Sequence, residues 1–279
     1  MGRNRTENNV NKVCAALCLG IAAMSSGWPT RLLSAEGPTA TAPCRRPAEG
    51  VPSYLPAAPF DALALIGPPP AADSTAQRAD LQAVLHAQRV AHARHTTARA
   101  LADVELSCAR ITNAVAEFHG QPEAEAPLAF LNRAARQAAT LTGVAKRYWQ
   151  RPRPYLASHR VERLGDVAVG AALPENPGGD AAYRQLRDHS GYPSGHAGFG
   201  QVCTILLARM VPERRGEIFE RSLSYSESRL ILGAHYPSDV AAGRSLGTAT
   251  AALLFANPCF EEDFSSARAA LRHALGLPD

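Results

Sequence analysis

The chain has 279 residues, 46% of them hydrophobic and 6% aromatic, enough for one sizeable domain with a buried core or at most two small ones. Alanine is abundant and long runs of Val, Ile and Thr are absent, so the composition points away from strands and towards helices. The formal charge of +4 is partly a property of the first residues: cleavage after Ala35 would remove four basic groups and one acidic one, leaving 25 basic and 24 acidic, a net of +1. A balance so close to neutral gives no ground for a nucleic-acid or membrane-surface function.

The first segment reads as a secretory signal. Arg3, Arg5 and Lys12 precede a short apolar stretch, Val13 to Met24, and small residues follow at 25–27 and again at 34–35. Cleavage is expected within 25–35, and a buried helix or an uncleaved anchor is the competing reading. Residues 36–59 contain six prolines and read as a linker or arm outside the core, with the folded domain expected over 60–279. Past the leader remain Cys44, Cys108, Cys203 and Cys259, which allow three full pairings in an oxidising compartment. Cys108 and Cys203 fall on apolar helical faces, where free buried thiols are an equal alternative. None of the spacings resembles a zinc site.

Asp61 to Ile66 is a short apolar piece closed by Gly67-Pro68-Pro69-Pro70. Ser74 with Gln77 reads as a capping box, and Leu81, Val84, Leu85 and Val90 follow at helical spacing. His86, His92 and His95 are expected on the solvated face of that helix rather than as metal ligands. A second helical segment is expected over Leu101 to Phe118, ended by Gly120-Gln121-Pro122. A third runs from Leu128 to Tyr148, with Leu128, Leu131, Ala135, Ala138, Leu141 and Val144 as its apolar stripe and Lys146 near its C-terminal end. Beyond it, Pro152 and Pro154 stiffen the backbone around Arg153 and so fix where its guanidinium points. Arg147 and Arg151 are expected in solvent.

Residues 157–190 show no periodicity and read as a long loop, a candidate wall or lid for a pocket. Then comes Gly191-Tyr192-Pro193-Ser194-Gly195-His196, a tight turn leading into a helix that Ser194 caps and Pro212 ends. The first turn of such a helix carries free N–H groups and a partial positive charge, which suits an anion. Another helix is expected over Glu213 to Leu232, with Arg229 in its last turns and Gly233 at its end. His235 falls in the connecting turn, Pro237 opens the next helix and Asp239 lies in its first turn. Gly243 and Gly247 suit close packing of that helix, and a last one is expected from Phe260 to Leu275.

Three cation-bearing segments thus occur in order: Lys146-x6-Arg153-Pro154, Pro193-Ser194-Gly195-His196, and Ser228-Arg229-x5-His235-x3-Asp239. In this tripartite pattern the chain resembles the type 2 phosphatidic acid phosphatase and vanadium haloperoxidase superfamily, and within it the bacterial class A non-specific acid phosphatases. The resemblance implies an all-α, single-domain helical bundle. It implies His235 as nucleophile, Asp239 as its orienting carboxylate and His196 as acid and then base. Lys146, Arg153, Ser194, Gly195 and Arg229 would bind phosphate, with no metal and no cofactor. It further implies a periplasmic or secreted enzyme acting on phosphate monoesters, with no nucleic-acid partner. Homo-oligomers are frequent in the family, although no interface signature is visible here. A membrane lipid phosphatase would need several long apolar spans, a vanadate-dependent haloperoxidase more chain, and a pure phosphate binder no nucleophile.

Overall fold

In the computed structural model the described residues are 53–56, 60–115, 122–164 and 190–278. They fold as α1 (Ala62–Ile66), α2 (Thr75–Ala93), α3 (Thr97–Ala102), α4 (Ala109–Thr112), α5 (Pro122–Arg136), α6 (Ala138–Trp149) and α7 (Pro154–Ala157). After these come α8 (Gly195–Met210), α9 (Arg215–Ile231), α10 (Pro237–Phe255) and α11 (Pro258–Ala274), with a single 3-10 turn at Pro212–Arg214. Among the described residues the all-α expectation holds: extended pairing is limited to one isolated bridge, Pro152 to Ser190. The expected leader and most of the arm lie outside the described residues, as do 165–189 of the expected lid.

α8 is the axis of the fold. Its residues from Ala197 to Thr204, then Leu206, Leu207 and Met210, are buried, and past His196 only Ile205, Ala208 and Arg209 reach towards solvent. α5 supplies Phe130 and Leu131 to the same core, α9 supplies Ile218 and Tyr225, and α11 supplies Phe260, Phe264 and Leu271. α10 crosses α8 at backbone distance. A Cβ on Gly243 would lie 2.2 Å from the Ser194 carbonyl, and one on Gly247 would lie 2.4 Å from the Gly198 carbonyl. The two glycines therefore bring the N-terminal ends of both helices together, as their spacing in the sequence suggests.

Several expectations need correction. The segment 101–118 is not one helix. It breaks at Asp103, whose buried carboxylate accepts from Arg110 (3.2 Å), Arg221 and Ser228 (2.7 Å) rather than continuing a helical face. The helix expected over 128–148 is two, parted at Gln137, whose side chain accepts from the Tyr54 and Leu55 backbone N–H groups. Val144 leaves the apolar stripe and is 43% exposed. The arm is not wholly outside the core: Tyr54 is 3% exposed, packs edge-on against Phe260 and donates to Asp263 at 2.7 Å. The capping box at α2 is half formed, since Ser74 accepts from the Gln77 N–H while the Gln77 side chain turns to Arg151.

Cys108 and Cys203 are joined in a disulfide that closes a span of 95 residues. The bond ties the segment after Asp103 to the middle of α8, about two turns beyond His196. In the chain-entropy account a loop of this length is worth about 4–5 kcal/mol. Replacing both cysteines by serine is therefore expected to lower the guanidinium midpoint strongly. Equal midpoints for the two proteins under oxidising conditions would refute this.

Candidate active site

The first residues of α8 and α10 and the segment after α6 meet at one place. The Ser194 N–H donates to the Asp239 carbonyl at 2.9 Å, and the Gly191 N–H donates to the Arg151 carbonyl at 2.7 Å. Ser194 caps α8 by accepting from the Ala197 N–H at 3.3 Å, and the Tyr192–Pro193 bond before it is cis. Gly195 opens the helix, and a Cβ placed on it would meet nothing within 4 Å. Open space therefore lies beside Gly195, at the N-terminal turn of a helix, where an anion is favoured.

Three cations act together on His235. Lys146 is 5% exposed and donates to the Ser190 carbonyl at 2.8 Å. Arg153, 5% exposed, donates to the Ala234 carbonyl at 2.8 Å and lies 3.1 Å from His235 Nε2. Arg229 is 1% exposed and donates to the Asp103 carbonyl, while its Nε is buried with no hydrogen-bond partner. Burial, reinforced by Arg153, pushes the Lys146 ammonium well below its ordinary range, with Asp239 opposing. Burial pushes the Arg229 guanidinium down as well. Burial disfavours the charged forms of Lys146 and Arg229, and a bound anion would favour them.

The two histidines differ in how they are held. An arginine can only donate, so the Arg153 contact makes His235 Nε2 an acceptor and leaves the proton on Nδ1. That Nδ1 lies 3.5 Å from Asp239 Oδ2, too far for a good hydrogen bond, and the ring also lies close to the Gly191 backbone. Burial, then Arg153, Lys146 and Arg229, pushes His235 well below the ordinary imidazole range. His196 Nε2 donates to the Val104 carbonyl at 3.0 Å, which puts its lone pair on Nδ1. Burial and Arg229 push His196 down too, against that hydrogen bond.

Arg151 departs most from the sequence expectation. It is not in solvent: it is 6% exposed and lies 4.2 Å over the Tyr236 ring. It donates to Asp239 Oδ1 at 2.5 Å, to Ser238 Oγ at 2.7 Å and to Asp80 Oδ2 at 2.8 Å. Arg147 is exposed, as expected, and so are His86, His92 and His95. Besides Arg151, the sequence reading missed Asp80 and the loop carbonyls of Asp103 and Val104, which hold Arg229 and His196. One signal for Arg151 was available, because Pro152 stiffens its backbone just as Pro154 stiffens that of Arg153. The others carry no local mark.

Among the described residues no group of three or more His, Cys, Asp or Glu is arranged to hold a metal ion, and no helix is long and apolar enough to cross a membrane.

Comparison with known proteins points to one family. Residues 128–259 match the PAP2 superfamily, a span that contains Lys146, Arg153, Ser194, Gly195, His196, Arg229, His235 and Asp239. The non-specific acid phosphatase of Providencia stuartii is 30% identical over 214 residues, covering 75% of this chain and 80% of that protein. The non-specific acid phosphatase of Salmonella typhimurium is 34% identical over 137 residues, so the match spans 49% of this chain and about half (48%) of that relative. An acid phosphatase of Zymomonas mobilis is 28% identical over 218 residues, 77% of this chain and 76% of its own. On these grounds the chain belongs to the PAP2 superfamily.

Proposed function

We propose that the protein is an acid phosphatase that hydrolyses phosphate monoesters through a phosphohistidine, without a metal ion. The observation that carries this reading is the state of His235. Its Nε2 lone pair points at a buried guanidinium, and burial among cations keeps the ring neutral at pH values where an ordinary histidine is protonated. A nucleophile that stays unprotonated in acid is what acid hydrolysis by this route requires. The names of the Providencia, Salmonella and Zymomonas relatives support the same activity.

The phosphate enters with its equatorial oxygens on Lys146, Arg153, Arg229, the Ser194 hydroxyl and the Gly195 N–H. His235 Nε2 attacks phosphorus, and the bond to the leaving oxygen breaks as His196 gives that oxygen a proton. Phosphorylated His235 is cationic, and its Nδ1–H then closes on Asp239 Oδ2. Water next attacks the phosphorus, His196 takes the water's proton, the P–N bond breaks and phosphate leaves. The clamp supplies the positive charge that a metal ion supplies in other phosphatases.

Export through the N-terminal segment belongs to the same proposal. It is supported by the Cys108–Cys203 disulfide, a bond that persists in oxidising compartments.

The test is phosphate release from p-nitrophenyl phosphate with and without EDTA, and with orthovanadate. Activity is expected to survive EDTA, and vanadate is expected to inhibit because it adopts the five-coordinate geometry of the transition state. Activity lost in EDTA and restored by magnesium or zinc would overturn the metal-free reading, and no release at all would overturn the phosphatase.

A further inference from the structure

Arg151 belongs to no part of the three-segment pattern, yet it is buried and ties together three distant pieces of chain. Its partners Asp80 and Asp239 lie 71 and 88 residues away. Asp80 comes from α2, as does Gln77, a further acceptor for Arg151. The Asp80 carboxylate also accepts from the backbone N–H and the hydroxyl of Ser238, so α2 grips the first turn of α10 twice. Tyr236 lies under the guanidinium and closes the array.

This array determines how Asp239 meets His235. Arg151 occupies Oδ1. Oδ2 is left to accept from the Tyr236 N–H at 2.8 Å and to face His235 Nδ1 at 3.5 Å. Gly191 presses on the same oxygen, since a Cβ there would lie 3.0 Å from Oδ2. We propose that Arg151 is a positioning residue: bridged to Asp80, it holds one oxygen of Asp239 so that the other is aimed at His235 Nδ1. Its action is exerted when the ring becomes cationic, because a fixed carboxylate then needs no reorganisation to bond the Nδ1–H. Arg151 lies outside the phosphate clamp and does not touch the substrate. The inference rests on the proposed phosphohistidine route.

Asp239 is also subject to opposing influences. Burial raises its carboxyl group, while Arg151, the Tyr236 N–H and Lys146 lower it. The ionisable groups around it are Arg151 and Lys146 from α6 and the segment after it, Asp80 from α2, and Tyr192, His235 and Tyr236 from the turns before α8 and α10. Removing Arg151 takes away the strongest opposition to burial, so Asp239 would protonate at higher pH and the acid limb of activity would move up with it.

The experiment compares wild type, Arg151→Met, Arg151→Lys and Asp80→Asn with p-nitrophenyl phosphate. Trapping of a phosphoenzyme in the wild type comes first, and its absence would refute the phosphohistidine route rather than this inference. Given the phosphoenzyme, Arg151→Met should lower kcat roughly 10–100-fold, the usual cost of losing a group that orients a reacting one, with vanadate affinity retained. Its acid limb should lie at higher pH than the wild type's. Arg151→Lys should restore the limb but only part of kcat, because it keeps the charge and loses the paired geometry. The proposal is overturned if Arg151→Met leaves both kcat and the acid limb unchanged, or if vanadate affinity falls in step with kcat. If Arg151→Met does not fold, an acid limb and kcat both unchanged in Arg151→Lys and Asp80→Asn overturn it equally.

Discussion

His235→Ala is expected to form no phosphoenzyme on rapid acid quench and to lose roughly 10⁴-fold or more in kcat, the scale seen when a nucleophile is deleted. The expectation follows from the tautomer. His235 Nε2 accepts from Arg153, so the lone pair is directed at that guanidinium and the proton is on the Asp239 side. His196 presents the opposite arrangement, with Nε2 engaged by the Val104 carbonyl. Anion binding should survive the substitution, because Lys146, Arg153 and Arg229 are untouched, and retained vanadate affinity would show that the loss is chemical. A phosphoenzyme still trapped from His235→Ala would sink the assignment.

The same site shows what a sequence can and cannot disclose. The three motif segments were legible because their geometry is local. Pro237 at the start of α10, Ser194 capping α8 and Gly233 at φ 70° follow from rules that hold within a few residues. The eight motif residues were legible through their spacing and the family resemblance. Arg151 was misread because nothing within ten residues of it can neutralise a guanidinium; both of its carboxylates arrive from elsewhere in the fold. Asp103 was passed over because, besides nearby Arg110, its partners Arg221 and Ser228 reach it from α9, more than a hundred residues away. Helix breaks at Asp103 and Gln137 were equally invisible. Gln137 has good helical propensity and Asp103 is only one weak helix former in its segment, and each helix ends there because tertiary hydrogen bonds compete with continuing. The pairing of Cys108 with Cys203 needed the fold as well, since counting leaves all three pairings open.

The second large effect concerns His196 and should depend on the substrate. An alkyl phosphate leaves as a strongly basic alkoxide and needs a proton, whereas p-nitrophenolate departs readily without one. His196→Ala is therefore expected to lose roughly 10²–10⁴-fold in kcat/KM with an alkyl phosphate and much less with p-nitrophenyl phosphate. The free site poses a difficulty for such an acid, since burial and Arg229 push His196 well below the ordinary imidazole range. The bound phosphate resolves it. A dianion placed among Arg229, Arg153 and His196 offsets the positive charges that hold the ring neutral, so His196 takes up its proton together with the substrate. The pH dependence follows in sign. The acid must be protonated, so with an alkyl phosphate activity is lost as pH rises through the His196 value in the complex. That alkaline limb should vanish in His196→Ala and be shallow in the wild type with p-nitrophenyl phosphate. The Val104 carbonyl keeps the His196 Nε2–H engaged throughout, which assigns the moving proton to Nδ1. If His196→Ala instead abolishes the phosphoenzyme for both substrates while His235→Ala still forms it, the two histidines have exchanged roles.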